Sequence, residues 1–129
     1  MLVLREAFFR VRRFDELQRN TGAARNILSD RLRTLVEHGI LERRQYQDRP
    51  PRFEYRLTEK GLDLYPVLIA LMEWGDRHAP GETGPPVLLE HRACGKPTTP
   101  KLVCSECGEP VAARDMRALP GPGAIARGA

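Results

Sequence analysis

Residues 28–61 read LSDRLRTLVEHGILERRQYQDRPPRFEYRLTEKG, and the fold turns on this stretch. Leu28, Leu32, Leu35 and Val36 recur at i, i+4, i+7 and i+8, one apolar face of a helix. Gly39 stands where a glycine closes a helix, since the closing residue needs a left-handed backbone. Residues 40–47 alternate in part and read as a strand. Asp48-Arg49-Pro50-Pro51 forms a tip, because proline has no N–H to give a sheet ladder. From Arg52 to Leu57, Phe53, Tyr55 and Leu57 alternate with Arg52, Glu54 and Arg56, the pattern of a half-buried strand. Thr58 is a capping residue for a helix that follows. The order is helix, strand, stiff tip, strand, helix.

Upstream, Leu2 to Val11 is apolar and helix-compatible, with no cap ahead of Leu2. Arg12-Arg13-Phe14 reads as a short strand and residues 15–20 as a short helix, with Phe14 and Leu17 facing inward. Thr21-Gly22 is a turn. Two helices joined by that turn make a helix-turn-helix, and the hairpin behind them makes it winged.

Downstream, Leu62, Tyr65, Leu68, Ile69 and Met72 form one broad apolar face, which Leu64, Val67, Leu71 and Trp74 widen almost all round. Pro66 implies a bend or a late start. A surface helix this apolar needs a second partner, so a homodimer contact is expected.

The composition fits these elements. With 129 residues there is room for one domain and an appendage. Hydrophobic content of 41% and charged content of 29% are those of a globular chain. No apolar run of about 18 residues occurs and no secretory signal opens the sequence, so a cytoplasmic protein is expected. Net charge is +4, and of 21 basic residues only Lys60, Lys96 and Lys101 are lysine. Arginine suits bidentate contacts to phosphate and guanine. The codon bias of a GC-rich genome gives the same enrichment, and composition alone favours that reading.

The face of the second helix opposite its apolar stripe bears Arg25, Asn26, Ser29, Asp30 and Arg33. In such motifs the N-terminal residues of this helix enter the major groove. Arg25 and Asn26 are the candidates for base edges, Ser29 lies beside them, and Arg33 is placed for phosphate. Asp30 would repel phosphate and is expected to pair with Arg33. Arg49 and Arg52 sit where a wing reaches phosphate or the minor groove. Of Arg43 and Arg44, one touches backbone and the other covers the sheet; we take Arg44 as the contact.

The composition of residues 80–86 marks a linker. Residues 87–113 hold all three cysteines, and residues 114–129, ending LPGPGAIARGA, are expected to be disordered. His91-x-x-Cys94-Gly95 and Cys104-x-x-Cys107-Gly108 are two similar turns with nine residues between Cys94 and Cys104. His91, Cys94, Cys104 and Cys107 make a complete tetrahedral set for structural zinc, and the glycines permit tight knuckles beneath the ion. A segment of 27 residues has little apolar material to fold alone. The competing reading is a redox pair, Cys104 with Cys107. The expected architecture is mainly α with a small β hairpin (α+β): a winged helix-turn-helix over 1–79, a linker over 80–86, a zinc-ribbon-like unit over 87–113 and a tail over 114–129.

The blocks FDEL, LSDRLRTLVEHGILERR, PPRFEYRLTEKG and the closing Trp74-Gly75 resemble, in order and spacing, the HxlR-type winged-helix transcriptional regulators, relatives of the MarR group. The resemblance covers residues 2–77. It implies a homodimer on double-stranded operator DNA, with residues 24–38 as the recognition helix, repression more than activation, and a small-molecule or redox effector of unspecified identity. Members of that family carry a further stretch before the position of Leu2, so the resemblance implies that Met1 falls inside the first helix. No nucleophile–base arrangement, phosphate-cradling glycine loop or zinc site with an open position is found, so no enzyme is expected. The alternative is a winged helix acting as a protein-interaction or thiol- and metal-sensing module without an operator of its own.

Overall fold

The computed structural model describes residues 2–79 and 81–126. Met1, Pro80 of the expected linker and residues 127–129 of the expected tail lie outside the described residues. The chain divides into two units, Met1–Val87 and Leu88–Ala129.

In the first unit, α1 (Leu2–Phe8), α2 (Phe14–Thr21) and α3 (Arg25–Glu37) precede a hairpin of β1 (Leu41–Gln47) and β2 (Arg52–Leu57). α4 (Glu59–Leu62) and α5 (Tyr65–His78) follow. Val3, Leu17, Leu28, Leu32 and Leu41 are buried together, each from a different turn of the chain or a different element. Phe14, Leu35, Val36, Tyr55 and Leu57 pack around them. Each fully buried leucine contributes about 1.5–3 kcal/mol by leaving water. α2 and α3 therefore meet through the apolar face that the period of 28–36 sets.

α1 closes without glycine. Val11 N–H donates to Glu6 O at 3.0 Å and Arg10 N–H to Ala7 O at 3.1 Å, with Arg10 at φ 65°. This is the paired-bond C-cap that glycine normally serves. The same pair of bonds closes α3, where Ile40 N–H donates to Leu35 O at 2.9 Å and Gly39 N–H to Val36 O at 3.0 Å. There the left-handed residue is Gly39, as expected, at φ 74°.

The hairpin is antiparallel, with Leu41 opposite Leu57 and Gln45 opposite Phe53, and an irregularity between Gln45 and Gln47. β2 spans the expected residues. The expected strand at Arg12-Arg13-Phe14 is a single bridge, Arg13 to Glu54, with Tyr55 N–H donating to Arg12 O at 2.7 Å, and Phe14 opens α2 instead.

The segment after Thr58 is two helices. Thr58 Oγ1 accepts from Gly61 N–H at 3.1 Å and caps α4. The chain then breaks at Asp63-Leu64, and α5 starts late, with Pro66 in its first turn, where a missing N–H costs nothing. The break shifts the helical phase. Leu68 and Ile69 are buried, whereas Leu62 and Tyr65, read from periodicity on the same face, are exposed.

α4 is bound to the end of α3. Thr58 Oγ1 also donates to Gly39 O, and Thr58 N–H donates to Ile40 O at 3.1 Å. Lys60 Nζ donates to His38 O at 2.8 Å. Gly61 is buried so tightly that a Cβ built there would lie 2.2 Å from Ile40 O.

In the second unit, β3 (Glu90–His91) and β4 (Lys96–Pro97) pair across a turn. Val103 bridges Pro110 across another turn. A 3-10 turn (Ala113–Asp115) starts at the last residue of the expected 87–113 unit, and α6 (Pro122–Ala126) falls in the segment expected to lack structure. Pro122 sets the backbone of a first helical position, which favours a short turn there. Among the described residues, no helix is long and apolar enough to cross a membrane.

Candidate nucleic-acid interface

α3 presents two faces. Leu28 and Leu32 are buried, while Arg25, Asn26, Ser29, Asp30 and Arg33 are exposed. Arg25, Ser29 and Arg33 follow one another at i, i+4 and i+8, so they form one row. That row lines an open groove of about 800 Å³, whose other walls are the start of α2 and the inner side of the hairpin.

Arg13, Arg19, Arg25, Arg33, Arg43 and Arg52 line this groove, against Asp15, Glu16 and Glu37. Three of these arginines rest on aromatic rings. Arg43 lies 3.7 Å from the centroid of Phe53, Arg13 4.5 Å from that of Tyr46, and Arg25 5.0 Å from that of Phe14. A guanidinium held over a ring keeps its charge and its in-plane donors, so these rings fix the orientation of the three cations. Asp30 pairs with Arg33, as expected.

The candidates from sequence divide accordingly. Arg25, Ser29, Arg33 and Arg52 are brought together around the groove. Asn26 is exposed in the first turn of α3 but is not part of the groove lining. Arg49 is exposed at the hairpin tip, beyond the lining. Alternation along β1 puts Arg43 and Arg44 on opposite sides, and Arg43 is the one in the groove. Arg44 pairs with Glu42 at 2.5 Å.

Three arginines of the lining, Arg13, Arg19 and Arg43, are not among the candidates from sequence. Arg13 and Arg43 line the groove, and the signal for both is an aromatic partner across the fold, which no local pattern reveals. Ile27 is 46% exposed in the first turn of α3, beside Asn26. Its signal was available, since it lies off the apolar stripe of Leu28, Leu32 and Leu35.

The candidate metal ligands lie in the second unit. Gly95 N–H donates to His91 O at 2.8 Å, and Gly108 N–H donates to Cys104 O at 2.9 Å. Gly95 and Gly108 have φ 67° and 76°, the left-handed conformation the spacing implies. Cys104 Sγ accepts from Glu106 N–H at 3.4 Å. Backbone hydrogen bonds from Cys107 and then Glu106 lower the Cys104 pKa by favouring its thiolate. All three cysteines are free. His91 and Cys94 share one turn and Cys104 and Cys107 the other. Among the described residues, no three His, Cys, Asp or Glu side chains converge as a metal-holding group.

Comparison with known proteins gives a consistent context. The HxlR-like helix-turn-helix family matches residues 1–83. The uncharacterized HTH-type transcriptional regulator Rv3095 of Mycobacterium tuberculosis is 51% identical over 123 residues, covering 95% of this chain and 78% of its own. The crystal structure of PA1607, a candidate transcription factor, is 38% identical with a TM-score of 0.81, covering 92% of this chain and 83% of that one. The reduced form of the transcriptional regulator YodB from B. subtilis is 28% identical with a TM-score of 0.53, covering 64% of this chain and 80% of that one.

Proposed function

The chain belongs to the HxlR-like helix-turn-helix family of DNA-binding transcriptional regulators, which are not enzymes, and from that premise we propose that it is a cytoplasmic, homodimeric repressor that reads operator DNA with α3 and grips it with its hairpin. The observation that carries this reading is the arginine-lined groove between α3 and the hairpin. A duplex laid there brings phosphates to Arg33, Arg43 and Arg52 while the N-terminal turn of α3 meets base edges. Arg25 and Asn26 then supply hydrogen bonds that discriminate bases, and Ser29 supports them. Arg49 reaches phosphate beyond the groove, with Arg44 on the outer side of the sheet.

The end of α4 and the outer face of α5 support the dimer. Leu62, Tyr65, Val67, Leu71 and Trp74 are each more than two-fifths exposed. Water against that much apolar surface is unfavourable, and a second copy supplies a matching face. Twofold symmetry then sets two α3 helices toward half-sites about one helical turn apart. A dimer seated over a promoter excludes polymerase, which is repression.

The test is fluorescence anisotropy with the promoter region flanking the protein's own gene, against a scrambled duplex, at several salt concentrations. The expected result is selective binding whose logarithmic affinity falls linearly with the logarithm of salt. Equal, weak binding to both duplexes would overturn the reading and favour a protein-interaction scaffold.

A further inference from the structure

We propose that the second unit binds one structural zinc ion through His91, Cys94, Cys104 and Cys107, and that the metal joins two turns which the backbone shapes separately. The proposal stands apart from the DNA-reading role, which concerns the first unit.

The second unit is not held by an apolar core. From Leu88 onward, no described residue is buried. Leu88, Leu102 and Leu119 are 70%, 75% and 76% exposed. A unit this short without an apolar core calls for another staple, a disulfide or a metal. The three thiols are free. The similarity to Rv3095 spans 123 residues, 95% of this chain, so it extends well into the second unit.

The two turns share one local geometry. In both turns the carbonyl of the first candidate ligand, His91 or Cys104, accepts a hydrogen bond from a glycine four residues on. In both, that glycine has a left-handed backbone that an L side chain adopts only under strain. The turn therefore curls the chain between its two ligands. In the Cys104 turn, a backbone N–H already donates to the sulfur. N–H···S bonds of this kind suit a thiolate, the form that ligates metal. Two separate segments of this chain thus adopt the same ligand-presenting shape, and nothing in an apolar core or a long ladder demands it.

Three thiolates and an imidazole form a soft donor set that selects zinc over magnesium or calcium. Four protein ligands fill a tetrahedron and leave no position for a reacting water, so the site is structural. His91, Cys94 and Cys107 are exposed and Cys104 is partly so; among the described residues these side chains do not already converge, so on this proposal the ion itself draws the two turns together. Binding displaces the thiol protons to solvent as the four metal–ligand bonds form.

The experiment uses the full chain, expressed in zinc-supplemented medium and purified under reducing conditions. Metal content is read by plasma emission and by native mass spectrometry. We expect one zinc per chain, and a cobalt-substituted sample with the visible absorption of a tetrahedral thiolate site. Cys94→Ser, Cys104→Ser and Cys107→Ser each lower zinc affinity by more than about 100-fold in competition with a chromophoric chelator, above the range seen for outer-shell partners. His91→Ala does the same, whereas His91→Cys retains the metal, because a thiolate replaces an imidazole in such sites. The paired variant Arg49→Ala with Arg52→Ala keeps one zinc and serves as the control for folding. A chain without stoichiometric zinc overturns the proposal, and so does a Cys104–Cys107 disulfide in the reduced preparation. Full zinc affinity in Cys94→Ser or His91→Ala overturns the ligand set.

Discussion

The two units of this chain are stabilised on opposite principles. In the first, five buried apolar side chains from three helices and a strand meet in one core. In the second, not one described side chain is buried, and order resides in two glycine-closed turns and short bridges. Apolar burial is non-directional and tolerates polar decoration on the opposite face. That tolerance is what lets α3 keep a leucine stripe inside and an arginine row outside. A region held by turns has no such reserve, and the proposed zinc site would supply it.

The largest effect that sharpens this contrast is chelation. Structural zinc in small modules supplies on the order of 10–16 kcal/mol of apparent binding energy. Removing metal should expose residues beyond Leu88 to limited proteolysis and leave the urea midpoint of the first unit unchanged. A parallel fall in both would mean that the units are not separately stabilised.

Next comes the core. Leu28→Ala or Leu32→Ala should cost about 2–5 kcal/mol in urea unfolding monitored by circular dichroism, with zinc content unaltered. A loss below 1 kcal/mol would deny these residues their central place. Gly61→Ala should cost about 1–3 kcal/mol in the same assay, the range for overpacking. Its Cβ meets the Ile40 carbonyl, a backbone atom that cannot rotate aside.

Smaller effects concern DNA. Arg49→Ala with Arg52→Ala should weaken binding to all sequences alike and reduce the salt slope by about 2, one unit per lost phosphate contact. An unchanged slope would remove the hairpin from the interface. Arg92→Ala, in the second unit, should leave the slope as it was. The smallest expected change belongs to Ile27. Its exposed side chain beside Asn26 suits a thymine methyl. Replacing that thymine with uracil should cost about 0.8 kcal/mol, the value of one buried methylene. Ile27→Ala should abolish the difference. Equal affinity for the thymine and uracil duplexes in the unsubstituted protein would exclude the contact.

Local rules made much of the first unit legible. The leucine spacing of 28–36, Gly39, the proline tip and the alternation of 52–57 each act within a turn or a strand pair, so the sequence displays them directly. The end of α1 was not legible, because Arg10 holds a conformation usually left to glycine and only the surrounding bonds sustain it. The break at Asp63-Leu64 was hidden by a continuous apolar run, in which periodicity assumes one unbroken phase. Arg43 and Arg44 are chemically identical neighbours, and only the partner strand determines which of them meets Phe53. For the cysteines, spacing predicts the shape of each turn but carries no information on the distance between turns.

The ties between α4 and the end of α3 have a mechanical consequence. Thr58 and Lys60 grip three successive residues, His38, Gly39 and Ile40, and the backbone of Gly61 sits hard against Ile40. α5 begins only three residues after α4 ends. The apolar helix and the arginine-bearing helix are therefore joined by a short, stiff coupling that bypasses the leucine core. Torque applied to one would reach the other through a few bonds, as through a crankshaft, so that a partner leaning on α5 would bear on the pitch of α3.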